Sequence, residues 1–108
     1  MNVTFTRTDE LLCARLYGEI DHHTAADMRM LIDSEIENSL PRSVVLDFAD
    51  VQFMDSSGLG LILGRKKLIE SMGGGIYIKN TKPHIRKIIS LAGLEALILS
   101  EKPKGKEE

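Results

Sequence analysis

Apolar and polar positions alternate at the start of the chain. Val3 and Phe5 stand against Asn2, Thr4 and Thr6, and after the polar Thr8, Asp9 and Glu10 the pattern resumes with Leu12, Ala14 and Leu16 against Cys13, Arg15 and Tyr17. A period of two belongs to a strand with one buried face, so the spacing predicts a hairpin of two strands. From about Ala25 to Leu40 the period lengthens: Met28, Leu31, Ile32, Ile36 and Leu40 share one helical stripe, and Thr24 with Asp27 resembles a capping pair. Pro41 stops that helix. Val44, Val45 and Leu46 form a continuous apolar run, the signature of a strand covered on both faces, ending at Asp47 and Phe48.

Helical spacing returns after Asp55, running from Leu61 and Ile62 through Leu68, Ile69 and Met72 to a stop at Gly73, Gly74 and Gly75. Ile76, Tyr77 and Ile78 read as a short strand. Thr81, Lys82 and Pro83 open a third helix with proline in its first turn, its inner face Ile85, Ile88, Ile89 and Ala92, closed by Gly93. Leu97 to Leu99 reads as a last edge strand. The order β-β-α-β-α-β-α-β predicts an α/β fold: a single domain over residues 1–100, with a mixed sheet of four to five strands and helices packed on it. The hairpin is antiparallel and the later strands parallel. Glu101 to Glu108 holds only charged residues, Pro and Gly, and is expected to be a disordered tail.

Composition narrows the function more than the fold. The 108 residues carry 14 Lys and Arg against 16 Asp and Glu, a formal charge of −2, so the basic footprint of a nucleic-acid binder is missing. One cysteine, Cys13, rules out an internal disulfide, and no apolar run has the length of a signal or membrane segment. A reduced, cytoplasmic protein with no membrane partner is the expectation.

Asp55-Ser56-Ser57-Gly58 sits where a strand-ending loop meets an amphipathic helix. The first turn of a helix lacks intrahelical acceptors for its N–H groups and carries partial positive charge, so these N–H groups are expected to point outward, unpaired, and to accommodate an anion on Ser56. Gly58 and Gly60, lacking side chains, would let a partner's backbone approach closely. The same residues also fit a plainer role in which Ser56 or Ser57 only caps the helix and the glycines suit a tight turn.

Other chemistries fit less well. Gly58-x-Gly60-x-x-x-Gly64 is similar to a dinucleotide fingerprint, but the third glycine comes one residue late and there is no second mononucleotide half. A small nucleotide-binding protein using that loop is therefore the alternative of a different class. Neither a Gly-x-Ser-x-Gly elbow nor a phosphate-binding loop is present, and Asp21-His22-His23 has no companion cluster for a metal. The protein is not expected to be an enzyme or to hold a cofactor. Arg65, Lys66 and Lys67 read as a solvated helix face, Arg65 being the one worth testing.

Two stretches carry a resemblance to a known family: Gly18-Glu19-Ile20-Asp21-His22-His23-Thr24-Ala25, and Phe53-Met54-Asp55-Ser56-Ser57-Gly58-Leu59-Gly60-Leu61-Ile62-Leu63-Gly64-Arg65. The chain resembles the STAS-domain anti-sigma factor antagonists, and among them the sporulation proteins that act on the anti-sigma-F factor. The resemblance extends more loosely from about Asn2 to Leu99. It implies a partner switch. The unmodified protein binds an anti-sigma factor that is also a serine kinase, freeing the sigma factor; the kinase, using its own ATP and magnesium, then phosphorylates the first serine after the aspartate, here Ser56, and abolishes binding. A manganese-dependent serine phosphatase reverses the modification. The implied partner-binding residues are Glu19, Asp21, His22, Asp55, Ser57, Gly58, Leu59, Gly60 and Arg65. The same switch in a general stress sigma-factor pathway is the nearer alternative. Relatives usually carry a further C-terminal helix where this chain has Glu101 to Glu108.

Overall fold

The computed structural model describes residues 2–99. The expected tail, 101–108, lies outside the described residues. Strand β1 (Val3–Arg7) pairs antiparallel with β2 (Leu11–Ile20), which pairs parallel with β3 (Ser43–Met54), which pairs parallel with β4 (Gly75–Lys79). The sheet order is β1-β2-β3-β4. Helix α1 (His22–Ser39) links β2 to β3, α2 (Ser57–Ser71) links β3 to β4, and α3 (Pro83–Leu91) follows β4. This is the expected α/β order with four strands.

Register fixes which residues share a face. Phe5, Ala14, Leu46 and Ile78 form one rung across all four strands, and Leu12, Val44 and Ile76 form the next. Apart from the half-buried Phe5, these side chains are at most 2% exposed and join Met28, Ile32 and Ile36 of α1, Leu61, Ile62 and Ile69 of α2, and Ile85 and Ile89 of α3 in one core. Right-handed parallel crossovers lay α1 and α2 on that same face. Thr4, Arg15, Asp47 and Lys79 form a polar rung on the opposite face, where Thr6, Cys13 and Tyr17 line the same shallow recess. The sheet is therefore covered by helices on one face, not on both as the Val44-Val45-Leu46 run suggested. Half-burial on the open face pushes the Cys13 thiol above its ordinary 9.0, and Lys79 opposes the shift.

Three elements differ from their sequence reading. Strand β3 runs on past Phe48 to Met54, because Asp47 accepts the Ala49 N–H and the Asn80 amide, and Asp50 pairs with Arg15 at 2.7 Å. Polar residues thus continue the strand on its open side. Leu40 leaves the α1 stripe: it caps the helix in the left-handed region (φ 49°) and is 67% exposed, which turns the chain into Pro41. Leu97 to Leu99 is no strand. A 3-10 turn at Glu95–Leu97 ends in a single parallel bridge of Ile98 to Ile78, with the Leu99 N–H donating to the Ile78 carbonyl at 2.7 Å.

Gly58 is buried in α2, and a Cβ there would run into the Met54 thioether. It serves the packing of α2 on β3 rather than the approach of a partner. Gly58→Ala is expected to destabilise the protein by about 1–3 kcal/mol through overpacking, read from chemical denaturation. Gly60→Ala meets open space and should change stability by less than about 0.5 kcal/mol, or gain slightly from helix propensity.

Candidate functional site

Parallel pairing of β2 with β3 brings their C-terminal ends to the same side of the sheet. Glu19 lies opposite Phe53 and Ile20 opposite Met54, and the Asp55 N–H donates to the Ile20 carbonyl at 3.1 Å. Both sequence motifs therefore meet at one edge, where α1 and α2 also begin. Gly18 takes φ 82° at a register shift in β2, a conformation that favours glycine, and Glu19 beyond it is exposed.

Asp21 caps α1. Its Oδ1 accepts the N–H groups of His23 and Thr24 at 3.0 Å each, while the Asp21 N–H donates to the Thr24 hydroxyl at 2.9 Å. The Thr24 hydroxyl in turn donates to the Glu19 carbonyl at 2.8 Å. The capping box is Asp21 with Thr24, not Thr24 with Asp27; Asp-x-x-Thr was the signal for it. The Thr24 N–H above all, together with the His23 N–H and the Thr24 hydroxyl, holds the Asp21 carboxyl below its ordinary 3.8 against a partial desolvation. His22 and His23 are exposed, their ring centroids 4.3 Å apart.

Across from them, Asp55 caps α2: its Oδ1 accepts the Ser57 N–H at 2.8 Å, and its carbonyl accepts the Gly58 N–H at 3.0 Å. The Leu59 N–H donates to the Ser56 carbonyl at 3.0 Å. The first N–H groups of α2 are thus spoken for, contrary to the expectation that they point outward unpaired. The Ser56 side chain makes no capping bond; it is exposed, on backbone already in the right-handed helical region (φ −65°, ψ −14°). Ser57, half-buried, lines a groove of about 250 Å³ between α1 and α2 with Ala25, Ala26, Arg29, Gly60 and Leu61. Leu59 is half-buried against the core, Gly60 is exposed, and Phe53 leaves 48% of its surface exposed beside Glu19.

Arg65 is not on a solvated face. It is 6% exposed, its Nε 2.6 Å from Asp33 Oδ1, its Nη2 donating to Asp33 Oδ2 at 3.3 Å and its Nη1 to the Leu61 carbonyl at 3.2 Å. The short Nε contact lies off the hydrogen-bond axis, so it contributes charge attraction without an aligned bond. Burial pulls the guanidinium's pKa down, and Asp33 opposes that shift. The sequence carried the signal: Arg65 stands four after Leu61, three after Ile62 and four before Ile69, inside the buried stripe. Its ion pair joins α1 to α2.

A STAS-domain profile matches residues 2–106. The chain belongs to the STAS-domain family. Relatives of this STAS domain include an anti-sigma F factor antagonist of Paenibacillus polymyxa, 43% identical over 84 residues that cover 78% of this chain and 72% of the relative. One from Lysinibacillus sphaericus is 36% identical, covering 81% and 74%. Among solved structures, the anti-sigma factor antagonist SpoIIAA in its unphosphorylated form superposes with a TM-score of 0.83 at 31% identity, covering 95% of this chain and 90% of that one. The Bacillus cell fate determinant SpoIIAA in its phosphorylated form superposes with a TM-score of 0.75, covering 95% and 94%. Among the described residues no helix of the STAS domain is long and apolar enough to cross a membrane.

Asp21 offers a test of the cap. Because its folded pKa lies below the unfolded value, its contribution is present above about pH 3.8 and is lost as pH falls through the lower folded value. Asp21→Asn should keep the neutral-pH melting temperature, since an amide oxygen caps comparably, and should flatten the fall in melting temperature below that pH. Thermal melts of both proteins from pH 2 to pH 7 check it.

Proposed function

We propose that this STAS domain is an anti-sigma factor antagonist switched by phosphorylation of Ser56. The observation that carries the reading is the division of labour at the start of α2. Asp55 does the capping, so the exposed Ser56 hydroxyl has no structural bond to lose. A serine so placed can accept a phosphoryl group without the helix being dismantled. The relatives supply the partner class: both anti-sigma F relatives and a Bacillus subtilis anti-sigma-B factor antagonist, 27% identical and covering 97% of this chain, are antagonists of anti-sigma factors. Higher identity to the sigma-F group favours a sporulation partner over a general stress partner.

The docking surface in this reading is the edge where the motifs meet. Exposed Glu19, His22, Ser56 and Gly60, the half-buried Asp21 and the apolar Phe53 lie there together. A partner covering it would remove apolar area from water and oppose basic groups to Glu19, Asp21 and Asp55. A phosphate adds about −1.5 to −2 charges to a surface already acidic, and it must be desolvated on docking. Shifting occupancy from mostly bound to mostly free takes about 5 kcal/mol of differential affinity, which like charge buried at an interface supplies. The domain itself acts as substrate and ligand of an anti-sigma kinase and of a serine phosphatase, and catalyses nothing.

Mixing the protein with ATP and a cognate anti-sigma kinase, then mapping phosphopeptides by mass spectrometry, tests the reading. Phosphate is expected on Ser56; phosphate chiefly on Ser57, or none, would overturn it. Ser56→Ala should melt within about 0.5 kcal/mol of the parent, bind the anti-sigma factor and resist modification. Asp21→Asn should bind the anti-sigma factor more weakly than the parent in a binding titration while staying folded. Phosphorylation should change stability by no more than about 1 kcal/mol, the helix dipole favouring it and Asp55 opposing it, with amide shifts confined to the neighbourhood of residues 55 to 60 and the facing groove wall of α1, and absent across the sheet.

A further inference from the structure

The parallel course of α1 and α2 sets a register between them. Asp33 on α1 stands level with Arg65 on α2, as their ion pair requires. Counting back four residues on each helix puts Arg29 level with Leu61, and both line the groove that also holds Ser57 and Gly60. Side chains on a helix lean toward its N-terminus. The Cα–Cβ bond of Arg29 is therefore tilted toward the end of the molecule where Ser56 lies.

Two features leave Arg29 with charge to spare. Asp33 is the acid one turn along α1, and it is engaged by Arg65. Among the described residues no ion pair includes Arg29, which is exposed. Arg65, close enough to sense it, has its own pKa lowered partly by the Arg29 charge. A phosphate on Ser56, for its part, finds the N–H groups of Ser57, Gly58 and Leu59 already bonded within the chain. A nearby cationic side chain is therefore the stronger source of compensation, since it adds full charge to the partial charge of the helix end. Ser56 and Gly60 stand four apart on one helix face, and Gly60 places nothing between that face and the groove.

Resting on the proposed phosphorylation of Ser56, we infer that Arg29 is the intramolecular clamp of the phosphoserine, binding its oxygens across the groove between α1 and α2. An Arg–phosphate contact is charge-assisted and planar, so it ties the modified residue to α1 as well as to α2. The groove open in the unmodified protein is then bridged in the modified one. Modification thereby changes the shape of the docking edge as well as its charge.

The test uses the full chain with phosphoserine placed at position 56 during translation, so that it does not depend on any kinase. The second ionisation of the phosphate is followed by phosphorus NMR in the parent, Arg29→Ala and Arg29→Lys. A guanidinium at contact favours the dianion, so the parent should titrate roughly 0.3–0.7 pH units below Arg29→Ala, with Arg29→Lys recovering part of the shift. Glu19, Asp21, Asp27 and Asp55, the imidazoles of His22 and His23, and the neighbouring Arg65 and Asp33 are common to all three proteins and cancel in the comparison. Superimposable titrations would overturn the clamp. Arg29→Gln serves as a second neutral variant should Arg29→Ala melt early, and must titrate with it. If the cognate kinase leaves Ser56 unmodified while the installed phosphate still shows the Arg29 shift, the proposed function fails and the clamp stands; kinase modification with no shift gives the reverse.

Discussion

Parallel pairing of β2 with β3 is the constraint on which the rest depends. Two strands that run the same way need a crossover, and the crossover is α1; the next parallel step, β3 to β4, needs α2. Both helices therefore begin at the sheet end where both strands stop. Residues 18–21 and 53–60, well apart in the chain, meet at one edge because of that geometry. The Asp55 N–H to the Ile20 carbonyl is the last bond of the ladder and the first contact of the site.

Each half of that surface is built so that structure and exposed chemistry fall on different atoms. Asp21 spends one carboxylate oxygen on the N–H groups of His23 and Thr24, and Asp55 spends one of its own on Ser57. Gly58 fills a place where Met54 admits no side chain, whereas Gly60 two residues on faces open space. Behind them the ion pair of Arg65 and Asp33 holds α1 to α2, a partly buried contact whose loss would leave Arg65 uncompensated.

The sequence was most readable where a period was long and its purpose single. Helix α1 and the β1–β2 hairpin followed from spacing alone, and the α/β order followed from them. Asp47 and Asp50 hid the second half of β3, since an apolar run says nothing about polar residues on an uncovered face. Arg65 reads as solvated because it belongs to a cluster of three basic residues, although its position in the stripe of Leu61, Ile62 and Ile69 marks it as buried. The role of Gly58 was out of reach, for no pattern shows that Met54 will lie against it. Ser56 itself was found through family likeness; the local pattern permitted an ordinary cap, and only the geometry shows Asp55 in that role.

The bridge of Ile98 to Ile78 bears on how copies of this protein meet one another. A sheet's outer strand offers unpaired N–H and carbonyl groups to any passing extended chain. On β4 the Ile78 carbonyl is already occupied by the Leu99 N–H, so a stranger cannot add there in register. At the other margin β1 is only five residues long and contributes two threonines. The domain thus limits recruitment by backbone pairing along both flanks of its sheet.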